Sequence, residues 1–329
     1  MYRIPTIMSS QEILDTAFKR AQKVRVTAKG RLQRQRKTAQ AKVTKSQNTI
    51  VKILQRYVKS FPSLDAQPPF YYELLDVSVG IGKLKKSLGA LDWATGRIRN
   101  IGADTRNEIS QSDGKDRISE LVSSAYGRFS SVLRQISKDL DFLSQSRVHF
   151  IKAPVIDPDK PTIVTAGAPN VGKSLLVKEI STAKPKIAPY PFTTKGISVG
   201  HFQHDNATYQ IIDTPGLLDR SFEERNEMEK KAILALRHLA HLILFVLDPS
   251  EYCGYTMEAQ LAILSDVKSN FPDIPVLEVE NKVDLLRHPS DRIKISALEG
   301  EGVSGLKELL VSAVSDSRKN TVEKLKLSN

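Results

Sequence analysis

A chain of 329 residues is long enough to form two domains, each with its own hydrophobic core. Hydrophobic residues make up 40% of it and charged residues 26%, as in globular proteins, and the single cysteine, Cys253, excludes a disulfide framework. Because no apolar run approaches the roughly 18 residues that cross a bilayer and no signal-peptide pattern is present, we expect a cytoplasmic protein with no membrane partner and no disulfide partner.

Residues 1–153 are predicted to form a helical bundle. Ser9 and Glu12 have the spacing of a capping box that begins the first helix. Apolar residues then recur with helical periodicity in 50–58, 83–109 and 115–146. Long helical patterns separated by short breaks favour an antiparallel all-α bundle.

The formal charge of +12 is concentrated in one segment of this domain. Residues 16–64, which we call the basic arm, contain 14 Lys and Arg residues and no Asp or Glu, whereas the rest of the chain carries −2. Between Lys29 and Asn48 the apolar residues are too few for a buried face. We therefore expect this part of the arm to lie on a surface or against a partner.

The basic arm has three interpretations: a solvated charged face, an anionic membrane surface, or nucleic acid. The membrane interpretation is disfavoured because the most basic part lacks the Trp, Phe and Leu face of membrane-binding helices. We favour RNA binding, which neutralises phosphates and releases counterions, with Gly30 as a break in the helix. The candidate RNA-binding residues are Arg25, Lys29, Arg31, Arg34, Arg36, Lys37, Lys42 and Lys45.

A proline-rich connector at 154–161 predicts a domain boundary. Beyond it, strand-like and helix-like segments alternate, which predicts an α/β domain with a mostly parallel sheet. We place this domain at 154–315 and a helical tail at 316–329. The predicted strands are 162–166, 197–202, 209–212, 242–247, 276–279 and 292–295.

The segment 162–175 has the order strand, glycine-framed loop, helix, with the pattern Gly-x-x-x-x-Gly-Lys-Ser. Backbone N–H groups of such a loop converge on an anion, and the helix dipole points at the same place. Lys173 can reach the β- and γ-phosphates, and the Ser174 hydroxyl can bind Mg²⁺. The candidate phosphate-loop residues are Gly167, Asn170, Val171, Gly172, Lys173, Ser174 and Leu175.

Three further motifs each follow a predicted strand. Asp213 of Asp-Thr-Pro-Gly can hold Mg²⁺ through water, and the Gly216 N–H can sense a γ-phosphate. Asp284 of Asn-Lys-Val-Asp can accept two hydrogen bonds from guanine, a pattern that adenine does not offer. The remaining candidates for base recognition are Asn281, Lys282, Ser296, Ala297 and Leu298, the last three near the guanine O6.

The order of these motifs resembles that of the translation-factor-class GTPases. The phosphate loop together with Tyr190-Pro-Phe-Thr-Thr194 is similar to the Obg superfamily. Pro-Phe-Tyr-Tyr-Glu at 69–73 and Ile-Asp-Pro at 156–158 resemble the Nog family of ribosome-assembly GTPases. The resemblance covers roughly residues 5 to 315, and the short end of the chain is similar to the archaeal form. It implies a Ras-like P-loop GTPase (G) domain after the helical bundle.

The resemblance also implies GTP/GDP and Mg²⁺ as ligands, with Ser174, Thr194 and Asp213 at the metal. Thr194 would be the switch I threonine, with Thr193 as the alternative. Asn170 matches a position that helps to bind K⁺ in some relatives, or is a turn residue. Leu217 stands where a glutamine would orient water, so slow GTP hydrolysis is expected. The catalytic candidates are Lys173, Thr194, Asn170 and Gly216.

We thus expect a monomeric GTPase that acts as a switch in large ribosomal subunit biogenesis. Its partners would be the large ribosomal subunit or its precursor, bound through rRNA contacts of the basic arm. Switch II, with Arg220 and 223–225, would pass on the nucleotide state. The alternative is an RNA-binding scaffold that the nucleotide only stabilises. Because only 15 residues separate Asn281 from Ser296, a turn is expected there instead of a helix.

Overall fold

The computed structural model describes residues 3–152, 156–191, 193 and 196–327, with side chains up to 317. The chain forms two compact units, Met1–Leu64 with Val79–Ile151, and Asp65–Ser78 with Lys152–Asn329. A segment from inside the predicted bundle domain is therefore grouped with the second unit. The ranges that we assign to functional domains remain a prediction.

Six helices precede the sheet. They are α1 (Ser10–Gln22), α2 (Arg31–Ser60), α3 (Pro69–Val79), α4 (Ile81–Gln111), α5 (Lys115–Gln135) and α6 (Ser137–Lys152). All except α3 build the first unit, whose centre contains fully buried Ile50, Leu54, Leu91, Ile98 and Phe129. Among the described residues, none of the helices combines the length and apolar character needed to cross a membrane.

The helix boundaries confirm two of the predicted signals and correct a third. The Ser9–Glu12 capping box is present at α1, and Gly30, with φ 83°, separates α1 from α2. The pattern at 115–146, predicted as one helix, is two helices that meet at Ile136. Ile136 is itself buried, so the apolar periodicity continues across the break and conceals it.

The prediction that 29–48 has no buried face is wrong for the carboxyl-terminal half of this range. Ala39, Val43, Ser46 and Gln47 of α2 are buried. The Ser46 hydroxyl donates to the Val43 carbonyl at 3.0 Å, and Gln47 accepts a hydrogen bond from Arg106 at 2.6 Å. Small residues and satisfied polar groups therefore replace the large apolar residues that a hydrophobicity pattern detects.

The second unit is built on a seven-stranded sheet with the order β2-β3-β4-β1-β5-β6-β7. Pairings from β4 through β1, β5 and β6 to β7 are parallel, and β2 and β3 pair antiparallel at one edge. This confirms the predicted mostly parallel α/β fold. The strands are β1 (Thr162–Ala166), β2 (Lys186–Ala188), β3 (Ile197–His204), β4 (Ala207–Asp213), β5 (Leu242–Leu247), β6 (Val276–Glu280) and β7 (Ile293–Lys294).

Within the described residues, a short 3₁₀ helix (Ala235–His238) and four α-helices complete this unit: α7 (Lys173–Ile180), α8 (Glu227–Leu234), α9 (Met257–Asn270) and α10 (Val303–Leu327). The predicted helical tail at 316–329 is continuous with α10 as far as Leu327. Strand β2 was not predicted, because its three residues are too few to show a period. Residues 281–292 form turns and no helix, as the short spacing predicted.

The hydrophobic core of the second unit includes one face of α3. Phe70, Leu74 and Val77 are buried in the same cluster as the β1, β4 and β5 side chains. The loops that follow β1, β4, β5 and β6 leave the sheet at the carboxyl ends of parallel strands. Ligands of open α/β sheets bind at this edge, and the sequence motifs lie in these loops.

Candidate nucleotide-binding site

The phosphate loop joins β1 to α7 and needs its two framing glycines. Gly167 has φ 131°, and a Cβ atom there would lie 2.3 Å from the Val246 carbonyl oxygen. Gly172 has φ 101° and is the N-cap of α7; its Cβ would lie 2.2 Å from Asn281 Nδ2. A side chain at either position is excluded by both backbone conformation and space.

The Lys173 ammonium lies inside the turn of this loop. Its Nζ donates to the Gly167 and Ala168 carbonyl oxygens, both at 2.7 Å. Burial lowers the pKa of Lys173, and the negative charges of Asp219 and Asp213 act in the opposite direction. The cation is thus placed at the amino end of α7, where an anion would also be held by the helix dipole.

Ser174 and Asp213 converge from two elements. The Ser174 hydroxyl donates to Asp213 Oδ2 at 2.5 Å. Burial raises the pKa of Asp213, against the lowering effects of the Ser174 hydrogen bond and the Lys173 charge. A hydroxyl and a carboxylate oxygen are ligands suited to Mg²⁺. Within the described ranges no cluster of three or more His, Cys, Asp or Glu residues could hold a metal.

Asn281 connects three of the predicted motifs. Its Nδ2 donates to the Val171 carbonyl of the phosphate loop at 2.8 Å, and its Oδ1 accepts from the Ala297 N–H at 2.9 Å. Asn281 is 2% exposed. The side chain thus fixes the phosphate loop and the Ser296–Ala297 loop relative to each other.

Asp284 presents its carboxylate at an open cavity of about 660 Å³. The Ser296 hydroxyl donates to Asp284 Oδ1 at 2.5 Å, which orients the carboxylate. Asp284 itself is exposed. The cavity brings together residues of the phosphate loop and the two base-recognition motifs, including Asn170, Gly172, Leu175, Asn281, Lys282 and Leu298.

Two residues that the sequence analysis missed, Asp248 and Tyr252, support this cavity from the loop after β5. Asp248 accepts a hydrogen bond from Lys282 Nζ at 2.6 Å, and Lys282 Nζ lies 5.5 Å from the centre of the Tyr252 ring. Burial alone would raise the pKa of Asp248, but hydrogen bonds from Lys282 and Ser250 bring it below its ordinary value. The signal was available, because Asp248 also follows a buried strand directly.

A second cavity of about 620 Å³ lies on the phosphate side. Its lining includes the predicted Lys173, Ser174 and Gly216, and also Asp219, which the sequence analysis did not single out. Asn170, with φ 60°, lines both cavities.

Of the two candidate switch I threonines, only Thr193 lies within the described residues. Thr194, our first choice for the Mg²⁺ ligand, lies outside the described residues. Thr193 lines the phosphate-side cavity, and its hydroxyl donates to the Tyr190 carbonyl at 2.9 Å. Leu217 is 1% exposed and belongs to the hydrophobic core, so it offers no polar group to a water at Gly216.

The basic arm keeps most of its cations in solvent. Arg25, Lys29, Arg31, Arg34, Lys37 and Lys45 are exposed, and Arg36 and Lys42 are half-buried. Arg36 forms an ion pair with Asp113 and donates to the Ser112 carbonyl at 2.8 Å. Arg25 donates to the carbonyls of Gln22 and Val24. Arg36 and Arg25 are therefore both engaged within their own unit.

Comparison with known families supports the resemblance both in the helical part and in the α/β part of the chain. A family model described as the NOG1 N-terminal helical domain matches residues 2–157. A second model, described as Nucleolar GTP-binding protein 1 (NOG1), matches residues 227–284.

Relatives extend this similarity over most of the chain. An uncharacterized protein of Methanocaldococcus jannaschii is 37% identical over 296 residues, which cover 89% of this chain and 82% of the relative. Nucleolar GTP-binding protein 1 of Arabidopsis thaliana is 40% identical over 71% of this chain and 35% of its own length. The Saccharomyces cerevisiae protein of the same name is 33% identical over 88% of this chain and 45% of its own length. The chain spans less than half the length of these two eukaryotic relatives.

Proposed function

Since the chain belongs to the NOG1 family of GTP-binding proteins, we propose that it binds and hydrolyses GTP as a switch in the biogenesis of the large ribosomal subunit. The observation that carries the nucleotide part is the link from Val171 through Asn281 to Ala297. This link joins a phosphate-binding loop to a cavity whose exposed carboxylate, Asp284, has the acceptors that guanine requires.

The phosphate chemistry is assigned to four groups. The Lys173 ammonium and the N–H groups at the start of α7 would bind the β- and γ-phosphates. Ser174 and Asp213, with Thr194 or Thr193, would hold Mg²⁺, which neutralises phosphate charge when it is bound. The Gly216 N–H would contact the γ-phosphate. We also propose that Asn170 helps to bind K⁺.

Slow hydrolysis is expected in the isolated protein. A glutamine that orients the attacking water is replaced by Leu217, whose side chain is buried in the core. An increase in rate would then depend on a partner or on K⁺. Single-turnover GTP hydrolysis measured in KCl and in NaCl tests the K⁺ component; equal rates in the two salts would remove Asn170 from it.

Nucleotide binding is tested by titrating fluorescent GDP into the chain and into Asn281→Ala. Because Asn281 joins two loops of the site through buried hydrogen bonds, we expect the variant to lose affinity by about tenfold or more. Asn270→Ala, at the half-buried last residue of α9 and outside both cavities of the site, is the control. Equal affinity of all three proteins would contradict the proposed role of the link.

The RNA-binding part is supported by a stripe of cations along α2. An α-helix turns by about 100° per residue, so the seven Lys and Arg residues of this stripe occupy a sector of about 100° around the helix axis. They extend along the axis for about 42 Å. Lys52, Arg56 and Lys59, the cations of the stripe beyond position 45, are exposed. Together with the other cations of the stripe they have a spacing suited to successive phosphates. We call this set the α2 stripe: Arg31, Arg34, Lys42, Lys45, Lys52, Arg56 and Lys59.

The α2 stripe is tested with large-subunit rRNA fragments at several salt concentrations. Reversal of Lys45, Lys52 and Arg56 to Glu should weaken binding and reduce the slope of log K against log salt by about 0.7–0.9 per lost phosphate contact. Reversal of the exposed Arg97 and Arg99 on α4 is the control with the same kind of charge change. A flat salt dependence, or equal losses in both variants, would refute the proposal.

A scaffold that only binds nucleotide is the second candidate. The proposed switch requires that association with the large ribosomal subunit depends on the nucleotide state. Co-sedimentation with ribosomal subunits in GDP and in a non-hydrolysable GTP analogue separates the two, with the Lys173→Ala variant as the nucleotide-binding control. Identical association in all states would favour the scaffold.

A further inference from the structure

The backbone N–H and C=O groups of Gly216 are both hydrogen-bonded to an ion pair, Asp219 and Arg225, in the segment that follows this glycine. The Gly216 N–H donates to Asp219 Oδ2 at 2.9 Å, and the Gly216 carbonyl accepts from Arg225 Nη1 at 2.9 Å. Arg225 Nη2 also donates to Asp219 Oδ1 at 3.2 Å. These three hydrogen bonds close a ring, which we call the switch II latch: Gly216, Asp219 and Arg225.

Arg225 is the buried part of the switch II latch. Its side chain is 1% exposed, whereas that of Asp219 is 15% exposed. Arg225 Nε is buried and has no hydrogen-bond partner within the described part of the chain. Burial and the nearby Arg220 lower the pKa of Arg225, and Asp219 acts in the opposite direction. A buried guanidinium that is not fully hydrogen-bonded depends strongly on its carboxylate partner, so Arg225 holds Asp219 in place.

Asp219 also faces the phosphate side of the nucleotide site. It lines the cavity of about 620 Å³ together with Lys173, Ser174 and Gly216. Its negative charge acts on Lys173 and opposes the lowering of the Lys173 pKa by burial. The carboxylate therefore combines two properties of a γ-phosphate: it accepts the Gly216 N–H, and it places negative charge near the ammonium of the phosphate loop.

We propose that Asp219 competes with the third phosphate of the nucleotide and thereby sets the preference for GDP over GTP. The inference rests on the proposed nucleotide site. A diphosphate leaves the Gly216 N–H to Asp219, whereas a triphosphate must take this hydrogen bond and bring further negative charge towards the carboxylate. Binding of GTP thus requires the switch II latch to open, and Arg225 opposes the opening by holding both Asp219 and the Gly216 carbonyl.

The test compares the affinities of the full chain for GDP and for GMPPNP by calorimetry. Asp219→Asn keeps the shape of the side chain and removes its charge. We expect its affinity for GMPPNP to increase by about tenfold, the size expected for one charge-assisted hydrogen bond, while its affinity for GDP changes less than about twofold. Glu224→Gln, which removes the same charge from an exposed residue of the same segment, should leave both affinities unchanged.

A second variant covers the case in which Asp219→Asn does not fold because Arg225 is left without a charged partner. Asp219→Asn with Arg225→Gln removes both charges of the ion pair and should show the same increase for GMPPNP. If GDP binds normally but the GMPPNP-to-GDP ratio is unchanged in both latch variants, or rises equally in Glu224→Gln, the inference is overturned and the nucleotide site stands. If the unaltered chain binds neither nucleotide, the proposed function fails and the inference fails with it.

Discussion

Several side chains of the candidate nucleotide site act mainly by fixing its loops relative to one another. Asn281 uses its amide to fix two loops, and Lys282 uses its ammonium to bind the buried Asp248. Asp284 keeps an exposed carboxylate that one serine hydroxyl orients. Within one four-residue motif, two members support the pocket and the last is the residue that we propose to read the base, so substitutions at the three positions should fail in different ways.

Replacement of Gly172 by alanine tests how closely Asn281 approaches the phosphate loop. The added Cβ would lie 2.2 Å from Asn281 Nδ2 at a backbone φ of 101°. We expect the thermal midpoint to fall, by an amount equivalent to about 2 kcal/mol or more, together with GDP affinity. Gly305→Ala, in α10 with open space around the Cβ position, should instead be neutral or slightly stabilising. Equal effects of the two substitutions would contradict the packing described.

Asp248 should make the stability of the chain depend on pH. Its pKa is below the ordinary value of 3.8 in the folded state, so its contribution is fully present above about 3.8 and is lost as pH falls through the lower, folded-state pKa. At neutral pH we expect Asp248→Asn to lose about 2 kcal/mol of unfolding free energy. Urea unfolding of both proteins from about pH 7 to about pH 3 should show the difference shrinking in acid. If the difference in unfolding free energy stays constant with pH, the Asp248–Lys282 ion pair does not stabilise the folded chain.

The sequence predicted those residues of the site whose chemistry has a fixed spacing. Gly167, Lys173 and Ser174 stand in a pattern that phosphate binding itself requires, and the structure brings them to one loop. Asp219 and Tyr252 were missed because neither belongs to a motif. Each of them comes to line a cavity with the phosphate loop only when the chain folds at this end of the sheet, and no motif encodes that placement.

At the scale of elements, α3 lies within the range 1–153 predicted for the bundle, and the compact units group most of it with the sheet. Its apolar face is buried against the core of the second unit, where Phe70 stacks on Tyr190 with ring centroids 6.4 Å apart. Glu73 of α3 also pairs with Arg237 and His238 beyond α8. Periodicity shows that a face will be buried, but not which core will bury it.

Truncation of Phe70 measures how much α3 contributes to the second unit. Phe70 is fully buried, so Phe70→Ala should cost about 3–5 kcal/mol and lower the midpoint at which the nucleotide-binding unit unfolds. Tyr72→Ala, on the exposed side of the same helix, should change stability by less than about 1 kcal/mol. Thermal unfolding with and without GDP gives the comparison. Similar small effects of both substitutions would show that α3 is only loosely attached.

The element α2 combines two properties that a hydrophobicity pattern keeps apart. Its charge predicted an exposed segment, and its small residues allow it to pack as a 30-residue helix. Cations on the α2 stripe remain accessible because the buried side is built from Ala39, Val43 and satisfied polar groups. The length of the helix was not predictable, since burial of small residues leaves little apolar signal.

The molecule contains a strongly basic helical unit, with a net charge of +17, and an acidic α/β unit, with a net charge of −5. Most of the charge was assigned from the sequence alone, because charge needs no folding to be counted. The sheet was also predicted, because buried parallel strands are continuous apolar runs bounded by loops. The compact units group residues 65–78 with the α/β part of the chain, and the predicted domain boundary at 154–161 remains a prediction.

The central claim is that one pocket selects guanine, and competition between purine nucleotides tests it most directly. Bound fluorescent GDP should be displaced by unlabelled GDP at concentrations at least about 100-fold lower than those of ADP, because adenine leaves the Asp284 carboxylate unpaired. In Asp284→Asn this preference for guanine should largely disappear while Mg²⁺-dependent phosphate contacts persist. Displacement by ADP and GDP on equal terms in the unaltered chain, or no binding of fluorescent GDP, would contradict the account.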